Sequence, residues 1–291
     1  MISNDYEIKE SIKSHPLGEL SSCITGDGTI SLHSSLFQES FHDLNGAKTE
    51  ALRKFIEPAE LERFKQEREI FVLDTCVGLG YNSACLIEAL ENRSLYLNWW
   101  GLEIDQRPLQ FAIKSSLFRR SCSEKALDIL NKIITTGNWK IEDGEGNVLW
   151  GDARDKLGEI PKKIRFDLIL LDPFSPNHCP ELWSEEFLNS LSSKLTSKGR
   201  IITYSSAAAI RGSLRRAGLE LRTIKPNTKS SHSWSEGTIA MIKGTLNCAQ
   251  KSNFPKLTTM EEEHLLTKAA IPYRDLNKKN ASQEIINRRR A

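Results

Sequence analysis

From about residue 69 to 245 the chain alternates short apolar, β-branched runs with longer stretches whose apolar positions recur at helical spacing. The runs predict strands over 70–74, 95–103, 147–150, 166–172, 200–204, 219–224 and 238–242. The unbroken Leu168-Ile169-Leu170-Leu171 suits a strand buried on both faces, as in a parallel sheet. Helical spacing covers 83–90, 108–118, 124–134, 183–195 and 207–217; in the fourth, Trp183, Phe187, Leu188, Leu191 and Leu195 share one face. The alternation predicts an α/β fold around a mostly parallel, seven-stranded, Rossmann-like sheet.

Residues 66–245 are therefore read as the core. Ahead of them, 1–24 form an N-terminal tail and 25–65 a small element: a hairpin around Asp27-Gly28, whose turn needs positive φ, and a helix at about 47–55. Behind the core, 246–291 form an extension with Pro272-Tyr273 and a basic end, Arg288-Arg289-Arg290.

Composition narrows the classes. With 291 residues, 39% of them hydrophobic, and 40 Lys+Arg against 38 Asp+Glu, the chain suits a folded core and not intrinsic disorder. No run approaches the roughly 18 apolar residues of a membrane span, and the polar N-terminus lacks a signal peptide's pattern, so a cytoplasmic protein away from membranes is expected. The six cysteines contain no Cys-x-x-Cys pair, so reduced thiols and no metal site are expected. Near-neutrality hides an asymmetry. Residues 1–70 hold 13 acids and 8 bases, whereas 194–229 hold nine bases and one acid, which points that segment toward a polyanion or a solvated surface.

Candidate chemistry sits at predicted strand ends. Asp74-Thr75-Cys76-Val77-Gly78-Leu79-Gly80 joins a strand to a helix through a glycine turn, where a ligand can approach the backbone. A dinucleotide site would want a third glycine at Ser83, so a nucleoside without pyrophosphate is favoured. Glu103 ends the next strand, 23 residues past Gly80, where a carboxylate can accept both ribose hydroxyls. Asp152 ends another and can take an adenine amino group. Each acid alone also suits a cap or a surface. In this order they describe a nucleoside pocket for S-adenosyl-L-methionine.

Asp172-Pro173-Phe174-Ser175 resembles the Asp-Pro-Pro-Tyr loop of methyltransferases acting on amines. An amine nucleophile must be neutral, aligned with the methyl, and accommodated as it becomes cationic. Asp172 can orient it and accept a proton, and the Phe174 ring can face the growing charge. The alternative is a strand-end acid before a proline-braced turn.

The longer segment Asp172-Pro173-Phe174-Ser175-Pro176-Asn177-His178-Cys179-Pro180-Glu181-Leu182-Trp183 resembles the Phe-x-Pro-x-x-x-Pro-x-x-Trp signature of MnmC-type tRNA methyltransferases, which methylate 5-aminomethyl-2-thiouridine at the wobble position. Further similar stretches are Glu39-Ser40-Phe41-His42-Asp43 with Gly46-Ala47 and Glu50, then Thr203-Tyr204-Ser205 with Ala208 and Arg211, and Ile271-Pro272-Tyr273-Arg274-Asp275. Phe41 and Asp43 stand where that family's motif has Tyr and Ser, and Asp172 precedes Pro where Gly or Ala is common. The resemblance implies a class I methyltransferase in its stand-alone form, without the flavin oxidase domain fused in many relatives. It implies that Asp74, Gly78 and Gly80 shape the cofactor loop, that Glu103 and Asp152 hold ribose and adenine, and that Asp172 and Phe174 border the reacting amine. His42, Glu50 and Arg211 would face substrate. It implies as partners the tRNA anticodon arm and a separate oxidase or other upstream wobble-uridine enzymes; the charge imbalance adds the bases of 194–229, with Arg288 to Arg290, as candidates for the phosphates. Two other classes stand beside it: a spermidine synthase-like aminopropyltransferase, whose pocket should be richer in acids, and a non-catalytic RNA-binding module, which the intact acid set disfavours.

Overall fold

The computed structural model describes residues 15–66, 68–225, 234–244 and 254–291. A small antiparallel sheet opens it: β1 (Leu20–Ile24), β2 (Ile30–Ser34) and β3 (Glu39–Ser40). The hairpin thus begins at Leu20, inside what was expected as tail; residues 1–14 of that tail lie outside the described residues. Its turn is held by Asp27, whose Oδ1 accepts from the Thr25 hydroxyl at 2.8 Å and the Thr29 N–H at 3.1 Å, with Gly28 at φ +80°. The helix Ala47–Ala51 follows and continues as a π-helical turn, Leu52–Ile56.

The main sheet comprises β4 (Arg68–Thr75), β5 (Leu95–Glu103), β6 (Asn138–Ile141), β7 (Gly144–Trp150), β8 (Phe166–Leu171), β9 (Leu195–Thr203), β10 (Leu219–Thr223) and β11 (Thr238–Ile242), in the order β10-β11-β9-β8-β4-β5-β7-β6. It has eight strands where seven were expected. The extra strand is β6, four residues paired antiparallel with β7 across a short turn, too brief to stand out from the preceding helical pattern. The five strands β9, β8, β4, β5 and β7 run parallel. The fourth predicted helix ends early, at Ser192, because Leu195 pairs with Phe166 as the start of β9.

Helices Tyr81–Leu90, Arg107–Lys114, Ser116–Ser121 and Glu124–Thr136 cover one face, burying Leu86, Leu109, Phe118 and Leu130. Helices Ala153–Glu159, Glu185–Ser192 and Ala208–Arg216 cover the other, burying Leu157, Phe187, Leu188 and Ile210. The C-terminal extension is docked on the core: Tyr273 bridges to Ser184, and Ile285 of helix Ser282–Arg290 is fully buried. Among the described residues no helix is long and apolar enough to cross a membrane. The strand order reverses beside β4, and at such a switch point the loops after neighbouring strands diverge and leave a crevice at the carboxyl edge.

Candidate active site

That crevice is a cavity of about 520 Å³ lined by the ends of β4, β5, β7 and β8 and roofed by residues 34–50. After β4 the chain turns sharply, with Cys76 at φ +69° and Gly78 at φ +55°. A Cβ on Gly78 would stand 3.3 Å from the Phe41 ring, so a side chain there would fill the space between loop and roof. Gly80, at φ +92°, closes the same turn with its N–H on the Val77 carbonyl; it is not among the residues lining the cavity, and a Cβ there would meet Leu109 at 2.9 Å, so glycine also lets helix Tyr81–Leu90 pack closely.

Glu103 ties this loop to the end of β5. Its Oε2 accepts the Gly78 N–H at 2.8 Å and its Oε1 accepts those of Ile104 and Asp105 at 2.7 and 2.9 Å. Burial pushes its carboxyl up, against the pull of these three donors. Asp74 is fully buried beneath the loop, accepting from the Ser83 hydroxyl at 2.5 Å, while its Oδ1 has no hydrogen-bond partner among the described residues. Burial, with Glu103 nearby, raises Asp74 to about 7, the Ser83 bond opposing. Asp152 lines the cavity and is gripped by Arg154, whose Nη2 lies 2.6 Å from Oδ2; burial alone would raise Asp152, but the Arg154 contacts hold it low. Arg154 is fixed in turn by the buried Asp275 of the extension at 2.7 Å.

Asp172 lies at the carboxyl end of β8, with its N–H on the Thr75 carbonyl and its Oδ2 accepting from Asn82 Nδ2 at 2.8 Å. Burial and then the Glu50 charge push its carboxyl well above the usual range, with the Asn82 bond acting the other way. The loop beyond is braced from three sides: the Tyr204 hydroxyl donates to the Pro173 carbonyl (2.8 Å), Trp183 Nε1 to the Phe174 carbonyl (2.7 Å), and the Ser175 N–H to Glu39 (2.8 Å). Phe37 stacks on Phe174 at 4.4 Å and Phe41 meets it edge-on at 4.8 Å. His42 shares its Nδ1 with the Ser31 hydroxyl, and burial lowers it to about 4 against the charges of Glu50 and Asp27, so it is neutral at pH 7. Glu50 pairs with Lys54 at 2.7 Å and accepts the Asp43 N–H.

The structure thus brings Gly78, Glu103, Asp152, Asp172, Phe174, His42 and Glu50 to one cavity, while Asp74 and Gly80 are not among its lining residues. It places Arg211 elsewhere. That residue is 1% exposed, with Nη1 2.9 Å from Glu261 and further bonds to Ser235, Thr238 and the Gly237 carbonyl, so it anchors the extension and does not touch the cavity. The basic segment is largely neutralised in the same way: Arg215 pairs with Glu262, Arg216 with Glu185, Arg222 with Glu220, and Arg200 with Glu60. Lys229 lies outside the described residues. Arg200, Arg211 and Arg222 are buried in these pairs and do not face a polyanion; the counter-charges come mostly from remote positions that a local count omits. At the C-terminus, Arg288 pairs with Glu284, and Arg289 bonds the Ile271 and Ala269 carbonyls over the Tyr273 ring.

Asn82, Glu39, Phe37 and Tyr204 were not assigned roles at the site from sequence. Asn82 alone carried a local signal, a polar residue in the first turn after the glycine loop; the others arrive by tertiary packing. Among the described residues eight carboxylates line the cavity (Glu39, Asp43, Glu50, Glu103, Asp105, Asp152, Asp172 and Glu181) and no lysine or arginine does. Lys54, Arg107 and Arg154 counter three of them from outside. Such a field favours cations, and the residues present fit S-adenosyl-L-methionine, which carries a sulfonium and an ammonium.

A family model described as S-adenosyl-L-methionine-dependent methyltransferase matches residues 123–235. An uncharacterised protein of Methanocaldococcus jannaschii is 27% identical over 275 residues, covering 92% of this chain and 69% of that one. The tRNA 5-methylaminomethyl-2-thiouridine biosynthesis bifunctional protein MnmC of Paraburkholderia phymatum is 28% identical over 205 residues, covering 66% of this chain and 31% of its own length. The chain therefore aligns with under a third of that bifunctional relative. Among solved structures, MnmC2 from Aquifex aeolicus superposes with a TM-score of 0.77 at 25% identity, covering 94% of this chain and 84% of that one.

Proposed function

We propose, for a chain that is an S-adenosyl-L-methionine-dependent methyltransferase of the MnmC2 type, that the acceptor is the amine of 5-aminomethyl(-2-thio)uridine at the wobble position of tRNA. The observation that carries this reading is Asp172-Pro173-Phe174, braced at the end of β8 in a cavity that, among the described residues, is lined by carboxylates and by no cationic side chain.

Bound S-adenosyl-L-methionine supplies an electrophilic methyl group on a sulfonium. Glu103 and Asp152 are positioned for ribose and adenine, and the Gly78 backbone leaves room for the cofactor beside Phe41. Asp172 accepts a proton of the amine and holds its lone pair toward the methyl, and the Phe174 face meets the charge that forms on nitrogen. His42, uncharged, and Glu50 border the acceptor from the roof. The tRNA anticodon arm is the partner in this reading, with the amine supplied by a separate oxidase or other upstream wobble-uridine enzymes, and the setting is cytoplasmic. The acid lining equally suits a polyamine acceptor, which keeps the aminopropyltransferase as second reading.

Mass spectrometry of wobble nucleosides from cells with and without the protein tests the proposal. The aminomethyl nucleoside should accumulate without it, and purified protein should methylate that tRNA. Unchanged nucleosides together with turnover of putrescine and decarboxylated cofactor would replace it by the second reading.

A further inference from the structure

The proton-accepting acid is held by one buried amide. Asn82 is 5% exposed in the first turn of helix Tyr81–Leu90, directly after the glycine loop, and its Nδ2 donates to Asp172 Oδ2 at 2.8 Å. No side-chain hydrogen bond is found on Oδ1 of Asp172 among the described residues. The charged and titratable groups around this carboxylate come from several elements: Glu50 and Lys54 from the roof helix, Asp74 and Cys76 from the end of β4, and Tyr204 from the end of β9. Lys54 is committed to Glu50 and the Tyr204 hydroxyl to the Pro173 carbonyl. Asn82 is therefore the neutral donor that favours the ionised carboxylate in a neighbourhood rich in acids.

We propose that Asn82 is a positioning residue for methyl transfer: it fixes Oδ2 of Asp172 and leaves Oδ1 to receive the proton of the acceptor amine. In the step so organised, the nitrogen lone pair forms the N–C bond as the S–C bond breaks and its pair returns to sulfur, and the N–H proton passes to Oδ1. The inference rests on the reading of Asp172 as proton acceptor and adds which atom accepts and what holds the other. The same helix turn carries Ser83 on Asp74, so the loop, the buried acid beneath it and the proton acceptor are tied to one element.

The test is the titration of Asp172, followed by NMR on protein labelled with carboxyl-carbon-13 aspartate and assigned by the signal missing from Asp172→Asn. In Asn82→Ala the midpoint should move up by about one pH unit, since a donor to the charged form is lost, and in the near-isosteric Asn82→Asp, which adds a negative charge, further still. The acid limb of kcat/KM should shift in the same direction, with cofactor affinity by calorimetry changed less than threefold. A midpoint unmoved in folded Asn82→Asp, whatever its activity, overturns the inference. If Asp172→Asn turns over like the parent, it is the proton-acceptor reading that falls, and the two failures are distinguished.

Discussion

Glu103 is the residue whose replacement discriminates best, because its two oxygens face three donors. In Glu103→Gln one oxygen becomes an NH2 group. The amide is expected to keep its oxygen toward the two N–H groups of Ile104 and Asp105, which sets the NH2 against the Gly78 N–H across what is now a 2.8 Å bond. The variant therefore loses the tie between the glycine loop and β5, and it loses charge-assisted acceptance of ribose. At about 1.5–3 kcal/mol for each of two ribose bonds to a charged group, with partial replacement by the amide, cofactor binding should weaken by about 2–4 kcal/mol, or roughly 30- to 700-fold in Kd. Removing a buried charge relieves desolvation, so stability should change little, which separates this variant from Glu103→Ala, where all three donors lose their acceptor. Calorimetric titration of S-adenosyl-L-methionine, with a melting curve as the control for folding, makes the measurement. A Kd within threefold of the parent in a folded Glu103→Gln would place the ribose elsewhere and sink the assignment of the pocket.

Asp172→Asn should bind cofactor normally and lose about 100-fold or more in kcat at neutral pH, read by transfer of labelled methyl; parent-like turnover at every pH contradicts the base role. Arg211→Met should destabilise by about 3–5 kcal/mol in urea unfolding, since it strands buried Glu261, and should leave the salt dependence of tRNA binding untouched; a flattened salt slope would restore Arg211 to the RNA interface. Glu261 is itself held down to about 2, because hydrogen bonds from Ser235 and Thr258 and the Arg211 charge outweigh its burial. Its contribution is complete above the ordinary carboxylate range and lost as pH falls through about 2, so acid melts of parent and Arg211→Met should converge there. Asp275→Asn removes the second carboxylate from Arg154 and should lower the melting temperature while weakening cofactor binding through Asp152; an unchanged Kd would limit the extension to a structural role.

Gly78, Glu103, Asp152 and Asp172 were legible in the sequence because they sit at strand ends, and strand ends are announced by apolar runs such as 168–171. β6 was not, because four residues with Trp139 as the one buried position give no period to detect. The roof was half legible: the Asp27 turn is local, but Phe37 reaching Phe174 across 4.4 Å depends on how the small sheet docks. Arg211 shows the limit most clearly. Local composition made it a base among bases, whereas its partner lies fifty residues on, in the extension that clamps it. Charge is the property least readable along the chain, since pairing is settled by tertiary contact while hydrophobic period is settled by the element itself.

The lining acids create a conflict that the site has to resolve. A field of carboxylates attracts an aminomethyl group as the ammonium ion and stabilises that form, whereas the reaction needs the free amine. An acceptor acid with an ordinary low pKa would be a poor proton acceptor for it. Burial and then Glu50 raise Asp172 and so make it a better base, while the Asn82 bond opposes them by favouring the charged form. One hydrogen bond from a neutral amide is a moderate counterweight, weaker than an arginine, which would drive the carboxylate back to its ordinary range and add a positive charge where the ammonium must sit. An arginine or lysine in the position of Asn82 should therefore weaken the acceptor amine's binding and remove the base at once, a loss larger than either Asn82→Ala or Asp172→Asn produces in KM alone. Steady-state titration of the tRNA substrate against Asn82→Lys would measure it, and a KM no higher than that of Asn82→Ala would show that the field of the pocket is not what recruits the amine.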